Sequence, residues 1–233
     1  MHALLRCACA QADRALAQVL QGPPPVPARP SDRADLASAA PRALGADGAV
    51  LAARLDLSET WLEGVSARDG FLNFTLSGAW YEAAVGQPPE LVSLPTLPQV
   101  QTGFPGRIDP FDWAFLCALK GRPPLPALAA RQDAANPGAL VRLTLRRLEQ
   151  VQDRVPPEIA WTQQHRRFLL LLARFEPQAR PKRQALYLQS VAEQVWELGP
   201  LRLSAPLLRF ARGVLTQGSA AVLCAADGDG TGA

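Results

Sequence analysis

The sequence predicts an α+β protein in which a small α+β domain is followed by an all-α helical bundle. Three observations carry the prediction. The segment 70-GFLNFTLS-77 alternates in the manner of a strand, and helical periodicity dominates after residue 107. Between them, 86-GQPPELVSLPTLPQVQTGFPG-106 has five prolines and no hydrophobic period. A chain of 233 residues is long enough to bury two small cores. The pattern places an α+β domain at 1–88, a proline-rich linker at 89–106, a helical bundle at 107–226 and a disordered tail at 227–233.

In chain order, MHALLRCACAQADRALAQVL predicts a helix over 2–20. Arg6, Asp13 and Arg14 interrupt its apolar run, so it reads as an amphipathic helix of a cytoplasmic protein rather than a signal peptide. No apolar run is long enough for a bilayer, so no membrane partner is expected. The stretch 22-GPPPVPARP-30 predicts an extended lead into the next element. Helices are expected at 33–44, capped by Ser31 or Asp32 and ended by Gly45, and at 47–55. A turn at Asp69 and Gly70 then opens a strand over 71–77. Its period of two puts Leu72, Phe74 and Leu76 on a packing face and Phe71, Asn73, Thr75 and Ser77 on a polar one.

Beyond the proline-rich break, helices are expected at 109–120, 137–153, 158–174, 181–197 and 204–223, with proline in the connections. Phe168, Leu169, Leu172 and Phe175 form one apolar stripe. Ala185, Leu188, Ala192, Val195 and Trp196 form another, as facing helices of a bundle require.

Composition limits the chemistry. The net charge of +3 conceals an asymmetry: seven arginines against ten acidic residues up to Glu90, but seventeen Lys and Arg against eleven from Gln101 onward. The second half is where a polyanion partner is to be sought, although such clusters also serve as solvated helix faces. Cys7 and Cys9 lie too close together for a zinc-ligand pair, Cys117 and Cys224 are isolated, and none has a histidine nearby. They read as buried reduced thiols, with no metal site. The only histidines are His2 and His165; neither stands in a nucleophile–base arrangement, and His165 reads as a partly exposed helix residue. No glycine loop that cradles phosphate precedes a helix. The expectation is no catalytic site and no cofactor.

Several segments, in order, resemble one family. The segment 27-PARPSDRADLASAAPRALGADGAVLAARL-55 followed by 70-GFLNFTLS-77 resembles the N-terminal additional domain of arginyl-tRNA synthetases, whose strand carries a G-F-[IL]-N-[FI] signature. The segments 127-ALAARQDAANPGALVRLTLRRLEQV-151, 167-RFLLLLARFEP-177, 184-QALYLQSVAEQVWEL-198 and 207-LLRFARGVLTQGSAAVLCA-225 resemble the DALR anticodon-binding domain of the same family. Together the matches span most of the chain. The catalytic body of a class I synthetase is not represented between them. Two isolated histidines, one methionine at Met1 and two lysines, Lys120 and Lys182, supply neither its His-x-Gly-His type signature nor its Lys-Met-Ser-Lys type loop.

The resemblance therefore implies a non-catalytic tRNA-binding protein, with tRNA-Arg among the partners it suggests. In this reading the first domain faces the tRNA corner and its D-loop, and the bundle faces the anticodon arm. Phe71 stacks on an unpaired base and Asn73 hydrogen-bonds its edge. Arg142, Arg146, Lys182 and Arg183 contact phosphates, and Tyr187 or Trp196 offers a stacking surface. The competing expectation is a protein-interaction module docking a synthetase or a tRNA-modifying enzyme. It would use Trp113, Trp161 and Trp196 as anchors, although tryptophans at these positions also read as core.

Overall fold

A computed structural model of the chain describes residues 1–97, 99–100 and 107–228, with the backbone alone described at 226–228. The chain divides into two units, Met1–Gly86 and Gln87–Ala233, each with its own buried side chains.

The first unit opens with α1 (Ala3–Leu20), whose buried residues Leu5, Ala8, Cys9, Ala12, Ala15 and Leu16 recur at helical spacing. Two short strands follow, β1 (Arg29–Pro30) and β2 (Leu36–Ser38), then the helices α2 (Ala40–Leu44) and α3 (Gly48–Arg54). The hairpin β3 (Leu62–Arg68) and β4 (Phe71–Leu76) completes an antiparallel sheet of order β1-β2-β4-β3, and α4 (Gly78–Val85) closes the unit. The hairpin turn has φ of 53° at Asp69 and 78° at Gly70. Positive φ at both central positions gives a type I′ turn, which matches the twist of the flanking strands.

The alternation read from the sequence is realised in β4. Leu72, Phe74 and Leu76 are fully buried, together with Leu36 of β2 and Trp80 of α4. Trp80 donates its indole N–H to the Leu4 carbonyl of α1 at 3.1 Å, tying the two helices together.

The helix expected over 33–44 exists only in its second half. Residues 36–38 pair with β4 instead, Leu36 opposite Phe74 and Ser38 opposite Leu72, so strand pairing on an apolar face overrides a weak helical pattern. No helix begins at Ser31 or Asp32 for them to cap. The neighbouring Asp35 carboxylate accepts the Leu76 N–H at 2.8 Å, and α2 starts at Ala40 with Pro41 in its first turn. Gly45 ends α2 at φ 61°, as expected. Strand β3 and helix α4 have no counterpart among the elements expected from the sequence.

The second unit is helical: α5 (Pro110–Lys120), α6 (Pro126–Ala129), α7 (Pro137–Val151), α8 (Gln163–Ala173), α9 (Pro181–Leu198) and α10 (Ala205–Gly228). Proline occupies the first turn of α5, α6, α7 and α9, where its missing N–H costs no helical hydrogen bond. Asp109 caps α5, Asn136 caps α7 and Thr162 caps α8, each accepting a first-turn N–H. Because of that Thr162 cap, α8 starts at Gln163 rather than 158. Helices α5, α7, α9 and α10 pack on one another. Gly138 is what lets α7 approach α5: a Cβ there would lie 2.7 Å from the Asp112 Cα.

Both predicted stripes are buried except at one position. Phe168, Leu169, Leu172 and Phe175 lie in the core, as do Ala185, Leu188, Ala192 and Val195, whereas Trp196 is 45% exposed. Helix α10 continues to Gly228, so Asp227 and Gly228, expected in a disordered tail, are helical. The remainder of that tail, 229–233, lies outside the described residues.

The start of the proline-rich stretch is not a free linker. The Pro89 carbonyl lies where a side chain on Gly213 of α10 would stand, and Gln217 donates to the Glu90 carbonyl at 3.1 Å. Val100 packs against the cluster of Ile108, Leu116 and Ala129. Residues 98 and 101–106 lie outside the described residues. Among the described residues no helix is long and apolar enough to cross a membrane.

Candidate nucleic-acid interface

Strand β4 is interior to the sheet, and its register fixes which side chains share a face. Asn73 stands opposite Ala37 of β2 on one side and Ser66 of β3 on the other, with Phe71 two residues away. Helix α3 packs on the opposite face, where Gly48 lies against Ala67, the partner of Leu72. Phe71 and Asn73 are half-buried, and Ser66 and Thr75 are exposed. Among the described residues no side-chain hydrogen bond engages the Asn73 amide. A ring and an uncommitted donor–acceptor group thus lie side by side over the small residues Ala37 and Ser66. The two were read from the sequence, but their small neighbours were not, since they come from strands without a clear local signal.

The basic and aromatic candidates of the bundle fare differently. Arg142 is engaged inside the bundle. Its guanidinium makes two parallel hydrogen bonds to the Asp112 carboxylate at 2.9 and 2.8 Å, approaches Asp109 at 3.3 Å and donates to Gln132 at 2.6 Å. With its side chain 11% exposed, it is a clamp between α7 and the start of α5. These hydrogen bonds hold the guanidinium still more firmly protonated, while burial pushes the Asp112 carboxyl upward against the pull of Arg142. The pair escaped sequence reading because its partners are thirty residues apart and neither sits in a local motif.

Tyr187 is likewise engaged within the bundle. Its hydroxyl donates to the Leu171 carbonyl at 2.7 Å and its ring stacks on Phe175 at 6.0 Å, fastening α9 to the end of α8. Burial drives its phenol far above the ordinary tyrosine range.

The other four positions reach solvent. Arg146 is exposed at the rim of a groove formed with Leu91, Leu94, Leu145 and Thr216. Lys182 and Arg183 are exposed on the first turn of α9, where Arg183 meets Glu176 at 3.5 Å. Trp196 holds its indole N–H on the Thr144 hydroxyl at 2.8 Å, and Thr144 in turn donates to the Leu140 carbonyl. One edge of the ring is fixed while much of the ring meets water. Lys182 and Trp196 are fourteen residues apart on α9, roughly 21 Å along the helix, so the two do not form one patch.

His165 is half-exposed and serves its own helix start, with its ring nitrogen 3.0 Å from the Ala160 carbonyl and 3.1 Å from the Thr162 hydroxyl. The thiols correct another expectation: Cys9 is buried and Cys117 half-buried, but Cys7 and Cys224 are exposed. Among the described residues no group of His, Cys, Asp and Glu is arranged to hold a metal ion. No protein-family model matches the chain, and no curated protein or solved structure matches it either.

Proposed function

We propose that this chain is a non-catalytic, cytoplasmic RNA-binding protein whose partner is tRNA, combining an additional-domain-like unit with a DALR-like bundle and performing no aminoacylation. The observation that carries the reading is the β4 face, where the Phe71 ring and the uncommitted Asn73 amide stand together on an interior strand whose other face is packed. Unpaired bases are recognised by stacking on rings and by hydrogen bonds to their edges, and a sheet face of this composition supplies both.

A second feature supports it. Helix α9 begins with Arg180, Lys182 and Arg183 and has no side-chain cap, although cations at a helix N-terminus oppose the macrodipole. A phosphate would relieve that conflict. The contact set is Phe71, Asn73, Arg146, Lys182, Arg183 and Trp196, with Arg142 left out because its guanidinium is paired inside the bundle and Tyr187 because its ring lies against Phe175.

The test is a titration of the protein against labelled total tRNA and against random RNA of equal length, at low and at raised salt. Tighter binding to tRNA that weakens steeply with salt is expected. Equal affinity for both RNAs, or indifference to salt, refutes the proposal.

One observation favours a protein-docking reading: the large aromatic side chain of Trp196 is 45% exposed. In that case Trp196→Ala abolishes co-purification with a synthetase or tRNA-modifying enzyme and leaves tRNA affinity unchanged.

A further inference from the structure

The register of the sheet brings two arginines onto the face that carries Phe71 and Asn73. Arg29 of β1 pairs with Ala37, which pairs with Asn73; Arg68 of β3 pairs with Phe71. Paired residues point to the same side of a sheet, so both guanidinium groups belong to the ring–amide face, one from each edge strand. Arg29 is exposed and makes no ion pair among the described residues. Among the described residues Arg68 meets only its neighbour Asp69, at 3.5 Å with both side chains largely in water. A pair so solvated does little to hold it. Three strand steps of about 4.8 Å, with a two-residue offset along the strands, separate their backbones by roughly 16 Å, a span that two arginine side chains readily narrow from either edge. Ala37 and Ser66 leave the flanks of Asn73 low.

We infer that Arg29 and Arg68 bind the phosphates on either side of the nucleotide whose base is taken by Phe71 and Asn73, so that an RNA strand crosses the sheet transverse to its β-strands. This rests on the RNA-binding reading above. It adds a direction for the bound strand and two phosphate contacts in the unit whose charge count is the more acidic.

The experiment follows the affinity for labelled total tRNA across a salt series, by fluorescence anisotropy, for the full chain and its variants. Arg29→Ala and Arg68→Ala each lower the slope of log affinity against log salt by about 0.7, the value for one lost phosphate contact on a single strand. Arg68→Lys keeps the slope, and Phe71→Ala weakens binding without altering it. Arg14→Ala, at an exposed position on α1, is the control and leaves both unchanged.

If wild-type protein binds tRNA with a salt dependence but Arg29→Ala and Arg68→Ala keep its slope, the transverse path is wrong while the RNA reading stands. A loss from Arg14→Ala equal to theirs also overturns it, since the effect is then general charge. Failure of the wild type to prefer tRNA removes both. Thermal melts matching wild type confirm that the variants are folded, and both arginines are exposed enough for this to be expected.

Discussion

Removing the Arg142 guanidinium leaves the Asp112 carboxylate fully buried and without its bidentate partner. Arg142→Ala is therefore expected to cost about 3–5 kcal/mol of stability, read from urea unfolding. Arg142→Lys recovers only part of this, because a single ammonium cannot reproduce the forked geometry. Cys9 makes a pH prediction. Burial, with Asp13 nearby, pushes its thiol from 9.0 up to about 11. The folded chain keeps this proton where the unfolded chain loses it, so stability falls as pH rises from about 9 toward 11, by at most about 3 kcal/mol. Cys9→Ala flattens that part of the stability–pH curve. In native protein at mildly alkaline pH, a thiol reagent should label Cys7 and Cys224 quickly and Cys9 only on unfolding.

Strand β4 divides energetically as it divides geometrically. Phe74→Ala, from a fully buried site, is expected to destabilise by about 3–5 kcal/mol, and Thr75→Ala, from an exposed one, by less than about 0.5 kcal/mol. On α10, Gly213→Ala places a methyl group against the Pro89 carbonyl. It should lift the preceding segment from the helix, detected as faster proteolysis around residue 90 with the helical signal retained.

The elements that were legible in the sequence are those whose pattern is local and long. The bundle helices announce themselves by proline at the first turn and by apolar stripes, and the turn before β4 by Asp-Gly. Strands β1 and β2 have two and three residues, too few for any period, and exist because β4 pairs with β2. The candidate site divides similarly. Phe71 and Asn73 were legible because alternation assigns their face. The internal roles of Arg142 and Tyr187 were not legible because their partners, Asp112 and the Leu171 carbonyl, are brought in only by tertiary packing.

At the scale of the molecule, each of the two units has its own buried side chains, and the first reaches only to Gly86. A unit of this size buries a modest fraction of its surface and has a thin margin of stability. Produced alone, Met1–Gly86 is expected to unfold cooperatively, as followed by circular dichroism. A gradual, non-sigmoidal melt would show that it depends on the rest of the chain. Trp80 and Trp196 give each unit a natural optical label. Trp80 is sealed from water with its N–H on a carbonyl, so its emission belongs at the blue end; Trp196, nearly half in solvent, belongs toward the red. Difference spectra from Trp80→Phe and Trp196→Phe can then follow the melting of each half in the intact chain, without any attached dye.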